Sequence, residues 1–140
     1  MQDVKLAKYT LKERGLTFVV VKKGEIIFEA KSHGISDFLH AIEKFRKELA
    51  GSVVADRIVG RAAALLCAYS KAASVFAVTI SEEGKKVLEG WNIFCQFENS
   101  VAHILNYHKT DVCPFEKLAS NLSDPNEAYE KLKTYTPSSI

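Results

Sequence analysis

Between Val53 and Leu66 the chain reads Val-Val-Ala-Asp-Arg-Ile-Val-Gly-Arg-Ala-Ala-Ala-Leu-Leu. Polar punctuation gives way there to small residues, which predicts a helix from about Arg57 to Ser70, with Asp56 placed to cap it. Gly60 and Ala62 to Ala64 leave no side chain to block a close approach of backbone. The free N–H groups and positive dipole end of such a helix suit an anion or a ligand oxygen. The same small residues also serve tight packing of a helix on a sheet, so the stretch constrains the fold whether or not it binds anything.

The rest of the pattern is consistent with that packing. Val4, Ala7 and Leu11 recur at helical spacing behind Asp3, and Gly15 can end the helix in a left-handed conformation. The period then changes. Leu16 to Val21 is β-branched and aromatic, Lys23-Gly24 is a turn signal, and Glu25 to Phe28 reads as the returning strand of a hairpin. Ser36 can cap a helix that carries Phe38, Ile42, Phe45 and Leu49 on one face. Ser74 to Ile80 is apolar enough for a strand buried on both faces. Glu82 to Leu88 predicts a short helix, Trp91 to Phe97 another strand, and Val101 to Tyr107 a further helix. Asp124-Pro125-Asn126-Glu127 joins a cap, a proline at the first helical position and an acid three residues on, which starts the last helix. A hairpin followed by alternating helices and apolar strands predicts a mixed sheet covered on both faces.

At 140 residues the chain fits one domain over 1–135 with a loose tail at 136–140, and 47% hydrophobic content supplies a core. A net charge of +2 gives little attraction to a phosphate backbone, so a nucleic-acid role would need a local patch such as Lys44, Arg46 and Lys47. The amino-terminal residues are charged where a secretion signal is apolar, and no segment reaches the roughly twenty apolar residues of a membrane span. A cytoplasmic location without membrane contact is therefore expected. Cys67, Cys95 and Cys113 have no CxxC spacing, which suits reduced thiols better than a disulfide framework.

Three stretches carry a resemblance: Ala55 to Leu66, Cys113-Pro114-Phe115-Glu116, and the Asp-Pro-Asn-Glu-Ala-Tyr start of the last helix. Together they resemble an uncharacterised family of small prokaryotic proteins with a cytidine-deaminase-like fold. The resemblance implies a three-layer α/β/α sandwich and no established activity. It also implies lysines where this chain has Arg57 and Arg61, and a glycine where it has Asp111; arginine cannot act as a proton carrier. Zinc deaminase chemistry needs an H-x-E helix start and a P-C-x-x-C pair. Gly60 to Ala63 and Ser81 to Gly84 occupy the corresponding places and supply neither imidazole nor thiolate. No metal and no cofactor is expected.

The candidate ligand-binding residues are Asp56, Arg57, Gly60, Arg61 and Ala62. Arg57 and Arg61, four apart, would share one helical face and clamp a phosphate or carboxylate. Cys113 and Glu116 are the candidate catalytic pair: a thiol ahead of a helix that Pro114 opens, with Arg57 or Arg61 nearby, would have a lowered pKa. Each has a plainer reading, as a solvated arginine or a packed thiol. Two main classes follow, a zinc-free module binding a small anionic or nucleotide-like ligand, and a thiol-dependent enzyme acting through Cys113 on a similar ligand. A nucleic-acid or protein interaction module is the third. Exposed sheet edges also leave room for a homodimer.

Overall fold

The computed structural model describes residues 2–135; the expected tail at 136–140 lies outside them. Helix α1 (Gln2–Glu13) buries Val4, Ala7 and Leu11 on one stripe. Asp3 lies within its first turn instead of ahead of it, and its Oδ1 accepts the Gly24 N–H at 3.1 Å. Strands β1 (Phe18–Lys22) and β2 (Glu25–Ala30) form the expected hairpin. Lys23 and Gly24 take φ of 50° and 81°, the pair of positive values that a tight primed turn requires. Helix α2 (Gly34–Phe45) begins earlier than a Ser36 cap would allow, with His33 at the N-cap. Asp37 explains the shift. Its carboxylate accepts the Ser32 N–H at 3.1 Å, the Thr17 hydroxyl at 2.9 Å and the Ser32 hydroxyl, which ties the chain before the helix back onto β1.

The main correction concerns Val53 to Val59, which is a strand, β3, and not the approach to a helix. It pairs antiparallel with β1, Phe18 opposite Asp56, and parallel with β4 (Ser74–Ser81). Helix α3 (Arg61–Ser70) therefore starts at Arg61 with Gly60 at its N-cap, and Asp56 caps nothing. Helix α4 (Glu82–Gly90) starts as predicted, the Gly84 N–H donating to Ser81 Oγ at 3.0 Å. Strand β5 (Phe94–Val101) begins later than the aromatic residues suggest. Trp91 and Phe94 are half-exposed beside this edge, so they are not core residues. No helix forms over 101–107: Val101 closes β5, and the following loop folds back on itself through a bridge between Leu105 and Val112 and main-chain hydrogen bonds from Asn106 to Asp111 and from Cys113 to Ile104. Helices α5 (Pro114–Ala119) and α6 (Pro125–Thr134) complete the described chain, Asp124 Oδ2 accepting the Glu127 N–H at 3.2 Å.

The strands form one mixed sheet in the order β2-β1-β3-β4-β5. Val19, Val21, Val53, Ala55 and Phe76 pack under α1 on one face. Phe18, Val20, Val54, Val75 and Ala77 point the other way, into a larger core shared with the remaining helices. The result is the expected three-layer α/β/α sandwich opening with a hairpin. Among the described residues no helix is long and apolar enough to cross a membrane.

Close packing at Gly84 holds the α4 start against the turn between β3 and α3. A Cβ there would lie 2.9 Å from the Val59 carbonyl oxygen and 3.2 Å from the Gly60 carbonyl. Alanine normally favours a helix over glycine by about 1 kcal/mol, but backbone on the far side cannot move aside as a side chain can. Gly84→Ala is expected to lower stability by about 1–3 kcal/mol in thermal denaturation. A rise in Tm would contradict this packing.

Candidate functional site

The carboxyl ends of the parallel strands open into a cavity of about 720 Å³, walled by β3, β4, the start of α2, the loop after β5 and α5. Asp56, Arg57, Gly60, Cys113 and Glu116 all line it, so the structure brings together five of the residues singled out in the sequence. Clefts at this end of an open α/β sheet are where ligands commonly bind. Ile35, Ile58, Ala63, Ile104 and Phe115 supply apolar wall, and the exposed His33, His103 and Lys109 stand at the rim.

The α3 N-terminus does meet an anion, but the anion belongs to the chain itself. Glu116 Oε1 accepts the Arg61 N–H at 2.7 Å and Oε2 accepts the Ala62 N–H at 2.8 Å. Gly60 makes this possible: a Cβ there would lie 2.3 Å from Oε1. Burial pushes the Glu116 carboxyl above its ordinary value, against the pull of these two amides and of Arg61. Glu116 thus caps α3, where the sequence offered it as the catalytic partner of Cys113.

The two arginines do not share a face. Arg57, in β3, turns toward α1, where Nε donates to the Leu16 carbonyl at 2.6 Å and Nη2 to the Leu11 carbonyl at 3.2 Å. Arg61 donates from Nε to the Ala119 carbonyl at 2.9 Å and from Nη2 to the Leu122 carbonyl at 2.6 Å, and its Nη1 meets Glu83 at 3.3 Å. Both forks are occupied by main-chain carbonyls on opposite sides of the sheet, so a shared anion clamp is ruled out.

Cys113 sits at the N-cap of α5, as its place before Pro114 implies. Its thiol is nevertheless held above the ordinary value, because burial outweighs the backbone N–H groups of Phe115 and Glu116 and because Glu116 adds a like charge. No arginine is among the groups that act on it, and the shift runs opposite to the one an activated thiol needs. Burial likewise raises Cys67, and Cys95 to about 11.

Asp56 is the unusual group. It is 2% exposed. Its Oδ1 accepts the Ile58 N–H at 3.4 Å, and Oδ2 has no hydrogen-bond partner. Loss of solvation raises its pKa to about 7, with a smaller push from Asp37 and opposition from the Ile58 and Arg57 amides. Gly34 and Asp37 were not legible as site residues. A Cβ on Gly34 would lie 3.0 Å from Asp56 Oδ1, so only glycine lets the α2 start fit beside the carboxyl without crowding.

The starts of α3 and α4 provide amides, Arg61, alanines and solvent-facing glutamates, and among the described residues no group of three or more His, Cys, Asp or Glu side chains is placed to hold a metal ion. These residues do not fit a zinc site.

The family model of a domain of unknown function, DUF1893, matches residues 6–136. The crystal structure of a DUF1893 family protein from Thermotoga maritima is similar to this chain with a TM-score of 0.87 at 26% identity, over 95% of this chain and 89% of that one. Two forms of Acinetobacter baumannii RibD give TM-scores of 0.47 and 0.49 at 18% and 17% identity, over 95% of this chain and 38% of theirs. No curated protein matches the sequence.

The raised Asp56 pKa has a definite sign. Folding favours the protonated acid, so its contribution is fully present below the unfolded value near 4 and is lost as pH rises through about 7. Asp56→Asn removes that loss. The variant is expected to be more stable than the parent at pH 8, by on the order of 4 kcal/mol, and to show a shallower decline between pH 4 and 8. Unchanged pH dependence in thermal melts would contradict the burial assigned to this carboxyl.

Proposed function

For a chain that belongs to the DUF1893 family, we propose that the cavity at the carboxyl ends of β3 and β4 binds a small nucleotide-like ligand without zinc chemistry. The observation that carries this reading is the cavity's polarity. The Asp56 carboxyl lies at the base, apolar walls stand between, and His33, His103 and Lys109 gather at the rim. A volume of about 720 Å³ lies within the usual range for small-molecule sites. The anionic end of such a ligand belongs at His33, His103 and Lys109, because Glu116 already occupies the amides of α3. Cys113 serves as wall, since a thiol held in its protonated form is a poor nucleophile.

Thermal denaturation with nucleoside monophosphates checks the reading. A ligand that binds only the folded state stabilises it by about 2.7 kcal/mol at a hundred times its Kd, so at least one of AMP, CMP, GMP and UMP should raise Tm in a concentration-dependent way. Lys109→Ala should weaken the monophosphate and leave the nucleoside unchanged. Failure of all four to shift Tm at millimolar concentration would overturn the proposal.

A further inference from the structure

We infer that a second copy of this chain packs on the face of the sheet that carries α1, through an antiparallel contact of the two α1 helices about a twofold axis at Tyr9. Five strands spaced about 4.8 Å apart make a sheet about 19 Å wide, whereas a helix is about 10 Å across and covers roughly half of that. Helix α1 rests on Val19 and Val21 of β1 and on Val53 and Ala55 of β3, and it reaches Phe76 of β4. Beyond Phe76 the same face continues onto β5, where Gln96 and Glu98 stand opposite Phe76 and Val78. The core side chains of α2 to α6 all lie on the other face. Only the lysine arms of α1 reach over the uncovered strip among the described residues, Lys8 and Lys12 both pairing with Glu98.

The outer ridge of α1 identifies the occupant. Lys5, Tyr9 and Glu13 follow one another at four-residue intervals on the side away from Val4, Ala7 and Leu11, and all three are exposed. Side chains at that spacing form the ridges along which helices pack. Lys5 and Glu13 take part in no ion pair among the described residues, whereas Lys8 and Lys12 beside them share a carboxylate. Reversed in direction, the ridge is the same with its signs exchanged. An antiparallel copy centred on Tyr9 therefore sets Lys5 against Glu13 of the partner subunit and Glu13 against Lys5 of the partner subunit, and brings the two tyrosine rings together at the axis. That self-complementarity is what a twofold contact requires, and a parallel arrangement would set like charges together. Tyr9 is 64% exposed, and Trp91 and Phe94 beside β5 are 52% and 50% exposed, which supplies aromatic surface for such a contact to bury.

The cavity is walled by α2 and α5 from the other face of the sheet, so the assembly leaves its mouth open and does not depend on what it binds.

Sedimentation velocity at micromolar to submillimolar concentration provides the test. The parent should sediment as a dimer. Lys5→Glu and Glu13→Lys should each raise the dimer dissociation constant roughly tenfold or more, since each replaces the attractions on both sides of the axis with repulsions. An equimolar mixture of the two variants should regain the association of the parent, because opposite charges then face each other again. All of these positions are exposed, so each variant should keep the circular dichroism and Tm of the parent. A parent that stays monomeric at submillimolar concentration would overturn the inference. A dimer that neither charge reversal weakens, or a mixture no more associated than its components, would overturn the placement of the contact on α1.

Discussion

The contact between Glu116 and the first amides of α3 organises this end of the molecule. Two charge-assisted hydrogen bonds join residues more than fifty positions apart in sequence. Arg61, the first residue of α3, returns the favour by donating to the carbonyls of Ala119 and Leu122 at the far end of α5. Each helix therefore satisfies the orphan groups of the other. A buried carboxylate without partners costs several kcal/mol, but here both oxygens face amides at the positive end of a ten-residue helix. With the hydrogen bonds of the loop after β5 and the burial of Phe115 and Ala119, this lock holds the α5 wall of the cavity.

That lock also decides what the cavity can hold. With Glu116 on the α3 amides and both arginines committed to main-chain carbonyls, no free positive group lies deep in the recess among the described residues. Asp56 and Glu116 are the acidic side chains of the lining, and His33, His103 and Lys109 stand at the rim. On the reading proposed above, the anionic end of a ligand lies at that rim. This lining disfavours a phosphate buried at the base.

Local signals made much of the fold legible. The Lys23-Gly24 turn, the Asp124 cap with its proline, and the apolar run of β4 each act through neighbours in sequence. What escaped reading depends on distant partners. Asp56-Arg57 looks like the end of an apolar segment, yet both residues continue β3, Arg57 because two carbonyls near the end of α1 receive its fork. Gly60 and Ala62 were recognisable as an anion site, but nothing local identifies Glu116 as the anion. Cys113 was placed correctly ahead of α5; its thiol state follows from the burial around it, which sequence spacing does not encode. Phe94 and Phe97 suggested a buried strand, whereas β5 lies at the sheet edge.

A double-mutant cycle between Gly60 and Glu116 addresses the lock most directly. Gly60→Ala forces its new methyl group into the space of the carboxylate, and Glu116→Ala removes the carboxylate, so each should cost about 1–3 kcal/mol in denaturant unfolding. Combined, they should cost little more than Glu116→Ala alone, because the methyl group then has room. Strictly additive losses would contradict the account, since they would mean that the two residues act on stability through separate contacts.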